Sequence, residues 1–214
     1  MTDLNCLLAG LVRLLSPILL LWLLRKKVHA RIYPALIAFI VCFPVFIVAG
    51  FIRSGFSHSS HAAFCIQQGL LYGIFEEGGK FLTMRYLLSS YDRPTDSITY
   101  GIGHGMFEEI GAGFACLNLI GTGNASSYIL PANILFTADG AVSVVALTVI
   151  IFYGIQTNKS GKMLTLAILL HFVGNATTGL FGNTLLMLLL TIIEGCIAYR
   201  CWQAMRPPLS NNIQ

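Results

Sequence analysis

Leu14-Leu15-Ser16-Pro17-Ile18-Leu19-Leu20-Leu21-Trp22-Leu23-Leu24-Arg25-Lys26-Lys27 decides the fold class of this chain. An apolar run that stops at three consecutive cations, with no small-residue cleavage site after it, has the wrong polarity for a cleaved leader. It reads as a retained membrane helix with its basic end in the cytoplasm. Outward from it, apolar spans recur near 5–24, 33–53, 61–88, 97–120, 131–155, 162–180 and 183–202. Each can cross a hydrocarbon core of about 30 Å at about 1.5 Å per residue. The breaks carry loop chemistry: Ser89-Ser90-Tyr91-Asp92-Arg93-Pro94, Gly121-Thr122-Gly123-Asn124 and Asn158-Lys159-Ser160-Gly161-Lys162. The expected fold is therefore all-α, a polytopic bundle of about seven transmembrane helices forming a single integral membrane domain over 1–214.

Composition agrees. Hydrophobic residues make up 56% and charged residues 10% of the chain, against roughly 25% charged in a soluble domain. The net charge of +4 is spread over short loops rather than gathered in a stripe, which argues against a nucleic-acid partner. The cations report orientation instead. Arg25, Lys26, Lys27, Arg31, Arg85, Arg93, Lys159, Lys162, Arg200 and Arg206 fall in alternate connections, while the opposite loops hold only Arg53. The N-terminus is thus expected outside and the C-terminus in the cytoplasm, with an odd number of crossings. The six cysteines, Cys6, Cys42, Cys65, Cys116, Cys196 and Cys201, form no CxxC pair and read as small packing residues.

Six of the nine acids, Glu76, Glu77, Glu108, Glu109, Asp139 and Glu194, lie within spans. Each costs up to about 2.5–3.5 kcal/mol near mid-membrane, so the set calls for a reason. In Glu76-Glu77-Gly78-Gly79-Lys80, Glu76 and Lys80 share a helix face. An ion pair accounts for only one of the two carboxylates. In Gly101-Ile102-Gly103-His104-Gly105-Met106-Phe107-Glu108-Glu109, His104 and Glu108 stand one turn apart, a spacing for two ligands or an acid–base pair. Glu109 points about 100° away, toward another helix or Lys80, and is a supporting residue. The glycines at 101, 103 and 105 let a neighbouring backbone come close. His171 and Asn175 again share a face at i,i+4.

Depth links these residues. Counted from the cytoplasmic ends at about 1.5 Å per residue, Glu77 lies about 16 Å deep, His104 about 10 Å, Glu108 about 16 Å and His171 about 14 Å. Helices of alternating direction deliver their polar groups to one layer, which is expected to be wetted from the cytoplasmic side. Asp139 lies nearer the outer face. Glu194, about 10 Å deep, is a weaker member of the layer, and Arg13 can pair with an acid across the bundle. His29, His58 and His61 form no pattern.

The ordered motifs Glu76-Glu77-x-x-Lys80, Gly103-His104-Gly105-x-x-Glu108 and His171-x-x-x-Asn175 resemble the YhfC family of intramembrane peptidases over spans three to six. Wider relatives are the PrsW proteases and the CAAX prenyl endopeptidase/bacteriocin-processing group. The chain departs from the latter in having Lys80 where that group has an Arg one residue later, and from both in carrying His104 together with Glu108. The resemblance implies peptide-bond hydrolysis in a bacterial plasma membrane, with 61–180 as the catalytic core and a membrane protein or peptide in the lipid bilayer as substrate. Glu76 or Glu77 is the expected general base on a water that His104 orients, and His171 with Asn175 the expected oxyanion donors. His104, Glu108 and His171, with Glu76 or Glu77, also suit a Zn²⁺ site with an open position, although His-Glu-x-x-His spacing is absent and a metal-free enzyme is compatible. Two other classes fit less of the pattern. An ion-coupled transporter shares intramembrane acids and glycine-broken helices but shows no inverted repeat here, and a polar-cored scaffold leaves the cost of the acids unexplained.

Overall fold

The computed structural model describes residues 2–56, 60–123 and 129–205. His58, Asn124 and Arg206 of the sequence reading lie outside them. Among the described residues the chain is helical: α1 (Thr2–Val28), α2 (Tyr33–Ser54), α3 (His61–Leu82), α4 (Pro94–Leu117), α5 (Ile129–Gln156), α6 (Ser160–Phe181) and α7 (Thr184–Met205), with a π-helical turn over Thr83–Leu87 closing α3. Five of these, α1, α2, α5, α6 and α7, are long and apolar enough to cross a membrane. The other two, α3 and α4, carry Glu76, Glu77 and Lys80 and Asp96, His104, Glu108 and Glu109. Large apolar side chains such as Leu15, Ile40, Phe43, Phe51 and Ile192 point out of the bundle, which suits lipid rather than water. This is an integral membrane protein.

Local chemistry sets the helix ends. Ser60 accepts from the Ala63 N–H at the start of α3, Pro94 opens α4, and the Asn183 side chain accepts from the Leu185 and Leu186 N–H groups at the start of α7. At the start of α4 the Asp96 carboxylate accepts from the Arg93 N–H at 2.9 Å and from Arg31 Nε at 2.9 Å. Hydrogen bonding to Asp96 pushes the Arg31 guanidinium pKa up, so this clamp between the α1–α2 connection and α4 keeps its charge.

Successive helices run in alternate directions. Gly69 of α3 faces Ala176 of α6 while Gly73 faces Ile168, and Arg13 of α1 meets Glu109 of α4 while Asp3 meets Gly121. One end of the bundle therefore gathers the N-terminus and the α2–α3, α4–α5 and α6–α7 connections. The other gathers the α1–α2, α3–α4 and α5–α6 connections with the basic residues. The dry core sits toward the basic end: Ala38, Met84, Leu88, Tyr100, Leu147, Ile150, Ile151, Phe152, Ala167, Ala198 and Cys201 pack there.

Glycine fixes two close approaches. A Cβ on Gly69 would lie 3.0 Å from the Phe172 carbonyl oxygen, and one on Gly73 3.0 Å from that of Ile168, so α3 and α6 touch backbone to backbone. A Cβ on Gly103 would run into the Ala35 backbone, seating α4 on α2 one residue before His104. Gly105 makes only ordinary contact with Val144.

Candidate active site

The α3–α4 layer brings together three donors. Glu76, His104 and Glu108 each offer an atom within 4.8 Å of the other two, and His104 Nε2 lies 3.3 Å from Glu76 Oε2. Relative exposure is 4% for Glu76 and 2% for His104. Glu108 is the exposed member, and its open side faces a cavity of about 550 Å³ lined also by Glu76, His171 and Asn175. On its other ring nitrogen, His104 Nδ1 is 2.8 Å from Cys42 Sγ of α2.

Glu77 behaves differently from its neighbour. Its Oε1 accepts from Lys80 Nζ at 2.7 Å and from His171 Nδ1 at 2.6 Å, and both Glu77 and Lys80 are buried. The expected Glu76–Lys80 pair is thus replaced by Glu77–Lys80 at i,i+3, because Glu76 turns across to α4. His171 commits Nδ1 to Glu77, a bond that does not involve its Nε2, while Glu76, His104 and Glu108 form the three-donor group. Glu109 meets Arg13 Nη1 at 2.8 Å and Thr137 Oγ1 at 2.9 Å rather than Lys80. Arg13 does find an acid across the bundle.

The expected wetting from the basic end is also corrected. The cavity runs from Glu76, Leu147 and His171 toward Cys65, Gln68, Thr178, Gly179 and Met187, at the other ends of α3, α6 and α7. Below it, Lys80, Tyr100, Leu147 and Ile150 are fully buried and close the basic end. The far wall carries Asp139, Ser143, Thr191 and Glu194, with Thr191 Oγ1 donating to Asp139 at 2.6 Å.

The donor set suits a divalent cation. Bonds of about 2.1 Å put tetrahedral ligands about 3.4 Å apart, close to the His104–Glu76 separation of 3.3 Å. Glu108 offers the third donor atom, within 4.8 Å of the other two, and lines the cavity. The model of the YhfC intramembrane metalloprotease family matches residues 12–129. The chain belongs to this family. The match spans α1 to α4, and so includes Glu76, Glu77, His104 and Glu108, while His171 and Asn175 lie beyond it. No curated protein and no solved structure matches the chain. The YhfC family description implies a metal, and Cys42 is the residue beside that centre which sequence reading passed over. An isolated cysteine in an apolar span has no pattern to distinguish it from packing.

Proposed function

We propose that this YhfC protein hydrolyses peptide bonds of membrane or membrane-associated proteins inside its cavity, in a bacterial plasma membrane, N-terminus outside and C-terminus cytoplasmic. The catalytic core is 61–180 with Cys42 added from α2. The observation that carries the reading is the convergence of Glu76, His104 and Glu108, of which His104 is buried behind the other two and Glu76 and Glu108 line a cavity of about 550 Å³, a size within the usual range of ligand sites, about 300–1,000 Å³.

Glu76, His104 and Glu108 hold a divalent cation, Zn²⁺ by preference for this nitrogen–oxygen set. The chemistry supplied by such an ion is Lewis acidity at a carbonyl oxygen and a lowered pKa for water. The chain's own groups do the rest. The Nδ1–H of His104 donates to Cys42, which turns Nε2 toward the donor group. Glu77, itself paired with Lys80, accepts from the Nδ1–H of His171 and leaves Nε2 as the basic nitrogen of a side chain that lines the cavity. That nitrogen takes a proton from water as the water oxygen adds to the carbonyl carbon, and returns it to the amide nitrogen as the C–N bond breaks. The Asn175 amide donates to the oxyanion formed between these steps.

The direct 3.3 Å approach of His104 to Glu76 favours one second reading, a metal-free glutamate peptidase. In it Glu76 takes the proton of a water that His104 orients, and His171 and Asn175 donate to the oxyanion. Metal analysis of purified protein beside a cleavage assay in liposomes separates the two. Cleavage that stops on chelation and returns with Zn²⁺ supports the first, and undiminished cleavage by metal-depleted protein supports the second. Substrate flux with no cleavage products would overturn both in favour of a carrier.

A further inference from the structure

The cavity and the basic loops lie at opposite ends of the bundle. The lining of the cavity climbs α3 from Glu76 to Cys65 and α6 from His171 to Gly179, which at about 1.5 Å per residue is about 16 Å and about 12 Å of helix. Gly179 stands two residues before the end of α6 and Cys65 four residues after the start of α3, so the cavity reaches that end of the bundle. His61 Nε2 meets the Gly179 carbonyl oxygen at 3.1 Å on its rim. Toward the other end the same helices close over Lys80, Tyr100, Leu147, Ile150 and Ile151, all at most 2% exposed. The connections beyond that plug hold Arg25, Lys26, Lys27, Arg31, Arg85, Arg93 and Lys159, whereas those at the cavity end hold only Arg53. Short basic loops stay in the cytoplasm.

We propose that water and substrate reach this site from the extracytoplasmic side, so that the bonds cleaved belong to outward-facing segments of membrane proteins. This rests on the peptidase reading for the word "cleaved", but access itself is independent of it. The interior chemistry agrees with an aqueous entrance. Gln68, Asn175, Thr178, Ser143 and Thr191 continue a polar wall from the Glu76–Glu108 layer to the rim, a route along which water keeps hydrogen-bond partners. A substrate entering from the cytoplasm would have to displace the packed side chains of α4 and α5 and the buried Glu77–Lys80 pair.

Thiol labelling tests this on the full chain. In sealed right-side-out vesicles treated with a membrane-impermeant maleimide, Thr178→Cys, on the cavity wall, is expected to react at least about tenfold faster than Ser90→Cys in the α3–α4 connection. The order is expected to reverse in inside-out vesicles. Modification is read residue by residue by peptide mass spectrometry, so the native cysteines remain, and native Cys65 on the cavity wall gives the same readout without substitution. Reaction of Thr178→Cys and Cys65 only from the cytoplasmic side, from neither side, or reaction of Ser90→Cys from outside overturns the proposal. A Glu76→Gln protein that no longer cleaves but labels as the wild type would leave access standing and bear on catalysis alone.

Discussion

Glu108 and Glu109 are neighbours on α4 with opposite surroundings. Glu109 belongs to a filled network: Arg13 and Thr137 donate to its two oxygens, and Arg13 also donates to Asn133, tying α1 to α4 and α5. Glu108 keeps an open side on the cavity, next to Glu76 and His104. Glu77 stands between the two cases: Lys80 and His171 both donate to its Oε1, while its Oε2 is buried without a hydrogen-bond partner. An intramembrane carboxylate whose acceptors are occupied is a joint between helices, whereas one that meets other donors around open space is available for chemistry.

That contrast can be broken by substitution. The largest effect is expected on the open side, where Glu76→Gln or His104→Ala should abolish the Zn²⁺ uptake proposed for this site and lower cleavage by about 10³-fold or more. On the filled side, Arg13→Ala leaves Glu109 without its cation and should destabilise the protein by about 3–5 kcal/mol. Cleavage per folded molecule should stay near wild type, and adding Glu109→Gln should recover much of the loss. His171→Ala should lower kcat by about 10²-fold at unchanged metal content; coupled loss of the metal would instead make His171 a ligand. Cys42→Ala is the mildest, weakening Zn²⁺ binding by about tenfold, as a competition titration with a chromogenic chelator would read; unchanged affinity would return Cys42 to plain packing.

The sequence made the membrane class legible because apolar runs and alternating basic loops are long-range patterns that local packing does not disturb. Depth alone put Glu77, His104, Glu108 and His171 at similar levels, without singling out Glu76 as the carboxylate that meets His104. Partner choice was less legible. Glu76 and Glu77 project about 100° apart, and only the position of α4 decides which turns to His104 and which to Lys80. Glu109 resolves the same way, through Arg13, which is 96 residues away in the chain. The side from which the cavity opens depends on where large side chains such as Tyr100 and Leu147 fill the bundle, and depth along each helix carries no information about that.

The backbone seam at Gly69 and Gly73 gives the enzyme a fixed gauge. Because carbonyl and Cα atoms rather than side chains space α3 from α6, the separation of the two backbones that carry Glu77 and His171 is set by close main-chain contact, with no side chain between them to repack. Helices elsewhere in the bundle can tilt as the surrounding lipid thickens or thins, while the carboxylate and imidazole that straddle this seam stay in register.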